Sequence, residues 1–272
     1  MAHPLAEAGA PIGVFDSGVG GLTVLRALCA ALPGEDFVYL GDTARLPYGT
    51  KSSATVVRYA VQAADELIER GVKCLVIACN TAAAAALSAL RERYAPLPVI
   101  GVIEPGAVAA AAASRSARIA VLATEGTVRG GAYQQAIARL RPEARVTALA
   151  CPLFVALAEE GWTEGAVAQA AAERYLVPLF AGSDAPDTLV LGCTHFPVLR
   201  EVIAAAVPEG TRIVDSAATT ASALKLLLAG PARSGPGALQ FLATDSPERF
   251  ARIGSRFLGR AIGADDVTGV DL

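Results

Sequence analysis

Two stretches of this chain repeat one design, and that repetition narrows the possible folds more than any other feature. LVIACNTAAAAAL, from Leu75, and LVLGCTHFPVL, from Leu189, each run an apolar segment into a cysteine, a threonine-bearing polar turn and a helix-prone stretch. A short apolar run that stops at a polar turn reads as a strand buried on both faces, followed by a helical crossover to the next parallel strand. A weaker echo pairs IGVFDSG, from Ile12, with IAVLATEG, from Ile119. Copies so far apart point to two similar α/β halves rather than a short-period solenoid.

The rest of the chain follows the same alternation of β-branched runs with longer alanine- and leucine-rich runs. It predicts strands at 12–15, 37–40, 74–78, 99–102, 119–123, 145–149, 188–191, 212–215 and 239–243. Helices are predicted at 22–31, 51–70, 81–94, 104–114, 128–139, 163–180, 197–206, 219–228 and 247–258, the last with Ser246 as N-cap and Pro247 in its first turn. The expected architecture is two pseudo-symmetric three-layer α/β domains with mainly parallel sheets and an active site in the cleft between them. Residues 1–103 plus 215–272 would form the first domain and 104–214 the second.

Composition removes several classes of function. The 53% hydrophobic content sits slightly above an ordinary soluble protein, the excess being largely alanine, and no run approaches the roughly 20 strongly apolar residues needed to cross a bilayer. MAHPLAEAGA has neither the basic nor the apolar region of a secretory signal, so the expected compartment is the cytoplasm. With 26 acidic and 23 basic residues and no lysine-rich run, nucleic acid is not the expected partner. Five cysteines, an odd number, read as free thiols, and without a CxxC pair and with only two histidines, His3 and His195, a metal site is not expected.

Ligands of parallel α/β sheets collect at the carboxyl ends of strands, where Cys79 and Cys193 both fall. Each is expected just before a helix N-terminus, whose N–H groups and dipole would favour the thiolate and lower its pKa from about 8.5. Cys74, Cys151 and Cys29 lack that matched context and are assigned to packing. Two thiols facing one cavity suit racemisation, which needs a base on one face of a carbon and an acid on the other, with roles exchanged in reverse. No pyridoxal lysine or other cofactor is expected, so the carbanion would be stabilised by positioning and preorganised hydrogen bonds.

Asn80, Thr81, Thr194 and His195 flank the cysteines and could hold a carboxylate, although helix capping alone would also account for Asn80 and Thr81. Asp16, Ser17, Gly18, Gly20 and Gly21 form a loop after the first strand that lets backbone approach a small anion. It is not a dinucleotide fingerprint, because Thr23 stands where the third glycine belongs. Tyr48 and Gly49, in GDTARLPYG, could cover one end of the pocket. Thr124 after its strand and Glu159 in CPLFVALAEEG complete the candidates, with Glu159 and Glu160 equally readable as solvated helix-end charges.

Taken together, GVFDSGVGGLTVLRAL, YLGDTARLPYG, LVIACNTA, PVIGVIEPG, CPLFVALAEEG, VLGCTHFPVL and VDSA, with SPERFARIGSRFLG near the end, resemble the glutamate racemases of the aspartate/glutamate racemase family. The resemblance implies a cofactor-independent enzyme that interconverts L- and D-glutamate for peptidoglycan synthesis and works as a homodimer. It implies that Cys79 and Cys193 exchange the proton, the first serving D-glutamate and the second L-glutamate. It also implies that Asp16, Ser17, Tyr48, Gly49, Asn80, Thr81, Thr194 and His195 touch substrate, and that Asp16, Glu159 and His195 modulate the thiols. The alanine-rich run after CNTA departs from the family pattern. The extension that goes with nucleotide-precursor activation in some members is not expected here, and the residues do not decide the gyrase inhibition of others.

Three other readings compete for the same residues. A racemase for aspartate or hydantoin would use the same thiols with a different pocket volume, whereas a related decarboxylase should need one cysteine. A two-lobed amino-acid binding protein has no use for paired thiols. A thiol hydrolase would need an oriented base for its cysteine, and one histidine cannot serve two symmetrically.

Overall fold

The computed structural model describes residues 9–228 and 235–272, so the N-terminal stretch expected to lack a signal, His3 included, lies outside the described residues. Among the described residues, ten parallel strands form two sheets with helices on both sides. They are β1 (Ile12–Asp16), β2 (Phe37–Gly41), β3 (Cys74–Ile77), β4 (Val99–Gly101), β5 (Arg118–Ala123), β6 (Arg145–Ala150), β7 (Thr188–Gly192), β8 (Arg212–Asp215), β9 (Leu239–Ala243) and β10 (Val267–Gly269). The six-stranded sheet has the order β10-β9-β2-β1-β3-β4, and the four-stranded sheet β6-β5-β7-β8. Ile12 is level with Phe37 on one side and Cys74 on the other, which brings the ends of β1 and β3 together at one edge. Ile119 is level with Thr188, which does the same for β5 and β7.

The central strands of each sheet read as unbroken apolar runs because both faces are covered by helices. β1, β2, β3 and β7 are buried along their whole length. Each fully buried side chain among Leu75, Val76, Ile77, Leu189, Val190 and Leu191 stabilises the fold by about 1.5–3 kcal/mol relative to exposure. Alanine suits the layer above: Ala82, Ala83 and Ala86 are buried in the helix Asn80–Tyr94, which packs on the helix Ser53–Glu69. The helix Ser216–Leu227 joins the halves, lying against Leu22–Ala31 on one side and Ile103–Ala113 on the other.

Several elements differ from the sequence expectation. The helix expected at 128–139 is two, Glu125–Gly130 and Ala132–Leu140, broken at Gly131, whose φ of +64° suits glycine. The helix expected at 163–180 runs Gly165–Leu176 and tightens into a 3-10 turn, Val177–Phe180, around Pro178. The helix Pro152–Glu160 was not among the predicted spans, although Glu159 and Glu160 read as helix-end charges, and the three-residue edge strand β10 was not expected. Ser246 precedes the helix Pro247–Leu258 but does not cap it: its φ is +50° and its side chain makes no capping bond. Among the described residues no helix is long and apolar enough to cross a membrane.

Candidate active site

The carboxyl ends of β1, β3, β5 and β7 converge on one cavity of about 420 Å³, with walls from both sheets. That volume is suited to a small molecule. Cys79, after β3, and Cys193, after β7, both line it and are both nearly buried. One thiol therefore comes from each sheet into the same space. Ser17, Tyr48, Gly49, Asn80, Thr81 and Thr124 also line it, as do Glu159, Thr194 and His195.

Asp16 is the exception among the candidates. It is fully buried behind the cavity wall, where its Oδ2 accepts from the Gly18 N–H at 2.9 Å and its Oδ1 has no partner among the described residues. Burial raises its pKa, with His195 and the backbone N–H groups of its loop opposing. Of the glycines beside it, Gly20 is the one fitted against the other half. A Cβ on Gly20 would fall 2.4 Å from His195 Nδ1, and Thr23 Oγ1 lies 2.9 Å from the carbonyl oxygens of both Gly20 and Thr194.

The two cysteines sit in unequal surroundings. Cys79 is itself the N-cap of Asn80–Tyr94, and its sulfur accepts from the Ala82 N–H at 3.4 Å and lies 3.5 Å from Ser17 Oγ. The expected drop in its pKa does not follow. Burial and the nearby Asp16 carboxyl outweigh these contacts and the thiol is pushed up to about 12. Cys193 does not begin an α-helix: a Thr194–His195 turn leads into a 3-10 turn, Phe196–Leu199, with Pro197 in it.

What Cys193 has is a relay. Its sulfur is 3.9 Å from His195 Nδ1, His195 Nε2 is 3.2 Å from Glu159 Oε1, and Arg249 Nη2 donates to Glu159 Oε2 at 3.0 Å. Burial pulls the His195 pKa down, but the bonds to Cys193 and Glu159 prevail and push it up to about 10. His195 holds Glu159 below the usual carboxylate range, against burial and with help from Arg249. Phe257 packs against the imidazole in a T-shaped contact, 5.1 Å between ring centroids.

The polar candidates of the walls bond to one another across the halves. Thr81 Oγ1 and Thr124 Oγ1 are 2.8 Å apart, and Thr127 Oγ1 is 3.1–3.3 Å from both. Thr124 also caps its own helix through the Thr127 N–H. Gly49 lies flat on Thr124, and a Cβ there would come 2.9 Å from the threonine Cβ. The Tyr48 hydroxyl is engaged by Asp42, which Arg45 and Thr244 also hold. Asn80 Oδ1 accepts from the Tyr133 hydroxyl at 2.8 Å.

Sequence reasoning missed Arg249, which lines the cavity from the helix Pro247–Leu258, and the apolar wall of Pro152, Val155 and Ala156. The wall was findable, because Pro152 before a run of apolar residues is a helix-start signal. Arg249 was not, since nothing local ties it to Glu159. Among the described residues no group of three or more His, Cys, Asp or Glu side chains could hold a metal ion.

Comparison with known proteins places this arrangement among relatives. The Asp/Glu/Hydantoin racemase family model matches residues 12–224. The glutamate racemase of Geobacter metallireducens is 52% identical over 256 residues, covering 93% of this chain and 94% of that one. A crystal structure of a glutamate racemase isoform from Bacillus anthracis superposes with a TM-score of 0.91 at 38% identity, covering 98% of this chain and 99% of the other. The glutamate racemase of Francisella tularensis, solved in complex with D-glutamate, gives a TM-score of 0.88 at 35% identity, with coverage of 97% and 98%.

Proposed function

This chain belongs to the Asp/Glu/Hydantoin racemase family, and on that premise we propose that it interconverts L- and D-glutamate by passing the α-proton between Cys79 and Cys193. The observation that carries the reading is the pair of thiols, one from each sheet, lining one cavity. A base removes the Cα proton from one face, the carbon flattens, and an acid returns a proton to the other face. Cys79, with its pKa pushed up to about 12, is held as the thiol and supplies the acid for one direction. Cys193 faces a protonated His195, whose charge Glu159 and Arg249 hold in place, and acts as the base in that direction. In reverse the roles exchange.

The Cα–H of an amino acid is far less acidic than a thiol, so the site must favour the carbanion through fixed donors rather than through the base alone. Asn80 Nδ2, the hydroxyls of Ser17, Thr81 and Thr194, and the His195 imidazolium surround the cavity for that task. Glutamate is favoured as substrate by the names and bound ligand of the relatives, and aspartate is the alternative with the same chemistry. D-glutamate made this way would supply peptidoglycan synthesis in the cytoplasm, and a homodimer is the form the resemblance implies.

The test is incubation of purified protein with L- and D-glutamate in D2O, without pyridoxal phosphate or added metal. Deuterium should enter Cα and both enantiomers should interconvert, while Cys79→Ala and Cys193→Ala should each abolish racemisation. Full turnover in either variant would refute the two-thiol assignment. Faster turnover of aspartate than of glutamate would overturn the substrate.

A further inference from the structure

We propose that Tyr133 is a positioning residue that sets the amide of Asn80, so that its NH2 group faces the carboxylate of the bound amino acid. This rests on the racemase reading above. Tyr133 belongs to the helix Ala132–Leu140 on the four-stranded side and Asn80 to the helix that follows β3 in the six-stranded sheet, so the bond between them crosses the halves. The Tyr133 hydroxyl donates to Asn80 Oδ1 at 2.8 Å, and both residues are nearly buried. Asn80 lines the cavity and Tyr133 does not.

An asparagine carries one accepting oxygen and one donating nitrogen, so occupying the oxygen leaves the nitrogen to be satisfied. Asn80 Nδ2 is buried and has no partner among the described residues, an arrangement that costs free energy unless something fills it. An anionic group in the cavity would fill it with a charge-assisted bond. Flipped, the amide would turn an oxygen toward a carboxylate, which repels it. Tyr133 can only oppose that flip if it stays where it is and stays protonated. Its ring is confined by two glycines, since a Cβ on Gly106 or Gly192 would come 3.3 Å and 3.0 Å from ring carbons on either edge. Burial raises the phenol pKa, so the hydroxyl remains a donor.

The experiment is steady-state racemisation of L- and D-glutamate, followed by circular dichroism, for the wild type, Tyr133→Phe, Asn80→Ala and the double variant. Tyr133→Phe should raise KM about tenfold while kcat falls less, the size expected from misdirecting one hydrogen bond. Enantiomers have equal free energies, so kcat/KM must fall by the same factor in both directions. In the Asn80→Ala background the Tyr133→Phe change should have no further effect. Asn80→Asp, which can still accept from Tyr133 but has nothing to donate, should bind glutamate as poorly as Asn80→Ala. An unchanged KM in Tyr133→Phe, additive effects in the double variant, or a wild-type KM in Asn80→Asp would each overturn the proposal. A wild type that leaves glutamate untouched would sink the substrate reading and the proposal with it, and thermal unfolding of each variant reports any loss of fold separately.

Discussion

Gly20→Ala tests how tightly the two halves are fitted at the relay. Gly20 does not use the left-handed backbone that favours glycine, so alanine there is opposed by space alone. Its Cβ would lie 2.4 Å from His195 Cε1 and Nδ1 and 2.5 Å from Thr194 Oγ1, where ordinary carbon contacts need about 3.5 Å or more. About 1 Å of movement is therefore required. The loop cannot supply it cheaply, because the Thr23 hydroxyl ties the Gly20 and Thr194 carbonyls together. The His195 ring is the mobile partner, and moving it lengthens contacts of 3.2 Å to Glu159 and 3.9 Å to Cys193. Overpacking of this kind costs about 1–3 kcal/mol of stability, and a displacement of that size in a catalytic group costs on the order of a hundredfold in rate. Racemisation in both directions, together with a thermal melt, measures both. Gly130→Ala is the control, since its Cβ would meet only Ala84 at 3.6 Å. Wild-type kcat/KM in Gly20→Ala, with an unchanged melt, would show that the contact between the halves is looser than described and that the relay does not depend on it.

Other expectations can be checked independently. The His195 imidazole should titrate near pH 10 by NMR and move down in Glu159→Gln; an unmoved midpoint would dissociate Glu159 from it. Because that pKa is raised from 6.5, its contribution to stability is complete below about pH 6.5 and lost as pH rises toward about 10. The lowered pKa of Glu159 contributes above its ordinary 4.5 and is lost on acidification below it, so urea unfolding across pH should show the paired contribution fullest between these values. Gly49→Ala should raise KM by pressing on Thr124 and parting it from Thr81, which steady-state kinetics would show. Cys79 in the free enzyme should alkylate far more slowly at pH 8 than a free thiol, as read by mass spectrometry of the modified protein. Cys151→Ala, buried but outside the cavity lining, should retain racemisation and lose about 1 kcal/mol of stability.

The central strands were legible because burial on both faces leaves an unbroken apolar signature in β1, β3, β5 and β7. β10 was not, since three residues at a sheet edge carry no period. The matched cysteines were legible as strand ends, and the structure brings them to one cavity. Their inequality was hidden. A sequence shows the helix start that would stabilise a thiolate at Cys79, but not the burial and the Asp16 carboxyl that work against it. At Cys193 the local chain misleads in another way, because Pro197 lies in a 3-10 turn and the polar neighbour of the sulfur is a histidine. The partners of that histidine, Glu159 and Arg249, come from distant helices, and only the fold brings them together.

The interleaving of the sheets has a consequence for synthesis on the ribosome. Strands β5 to β8 form a contiguous stretch, and every hydrogen-bonding partner in their sheet has emerged once Asp215 has. β2, made far earlier, keeps one edge unpaired until β9 arrives near the end of translation. During that interval the nascent chain carries an open apolar ladder, and that edge is where misassembly between growing chains would begin.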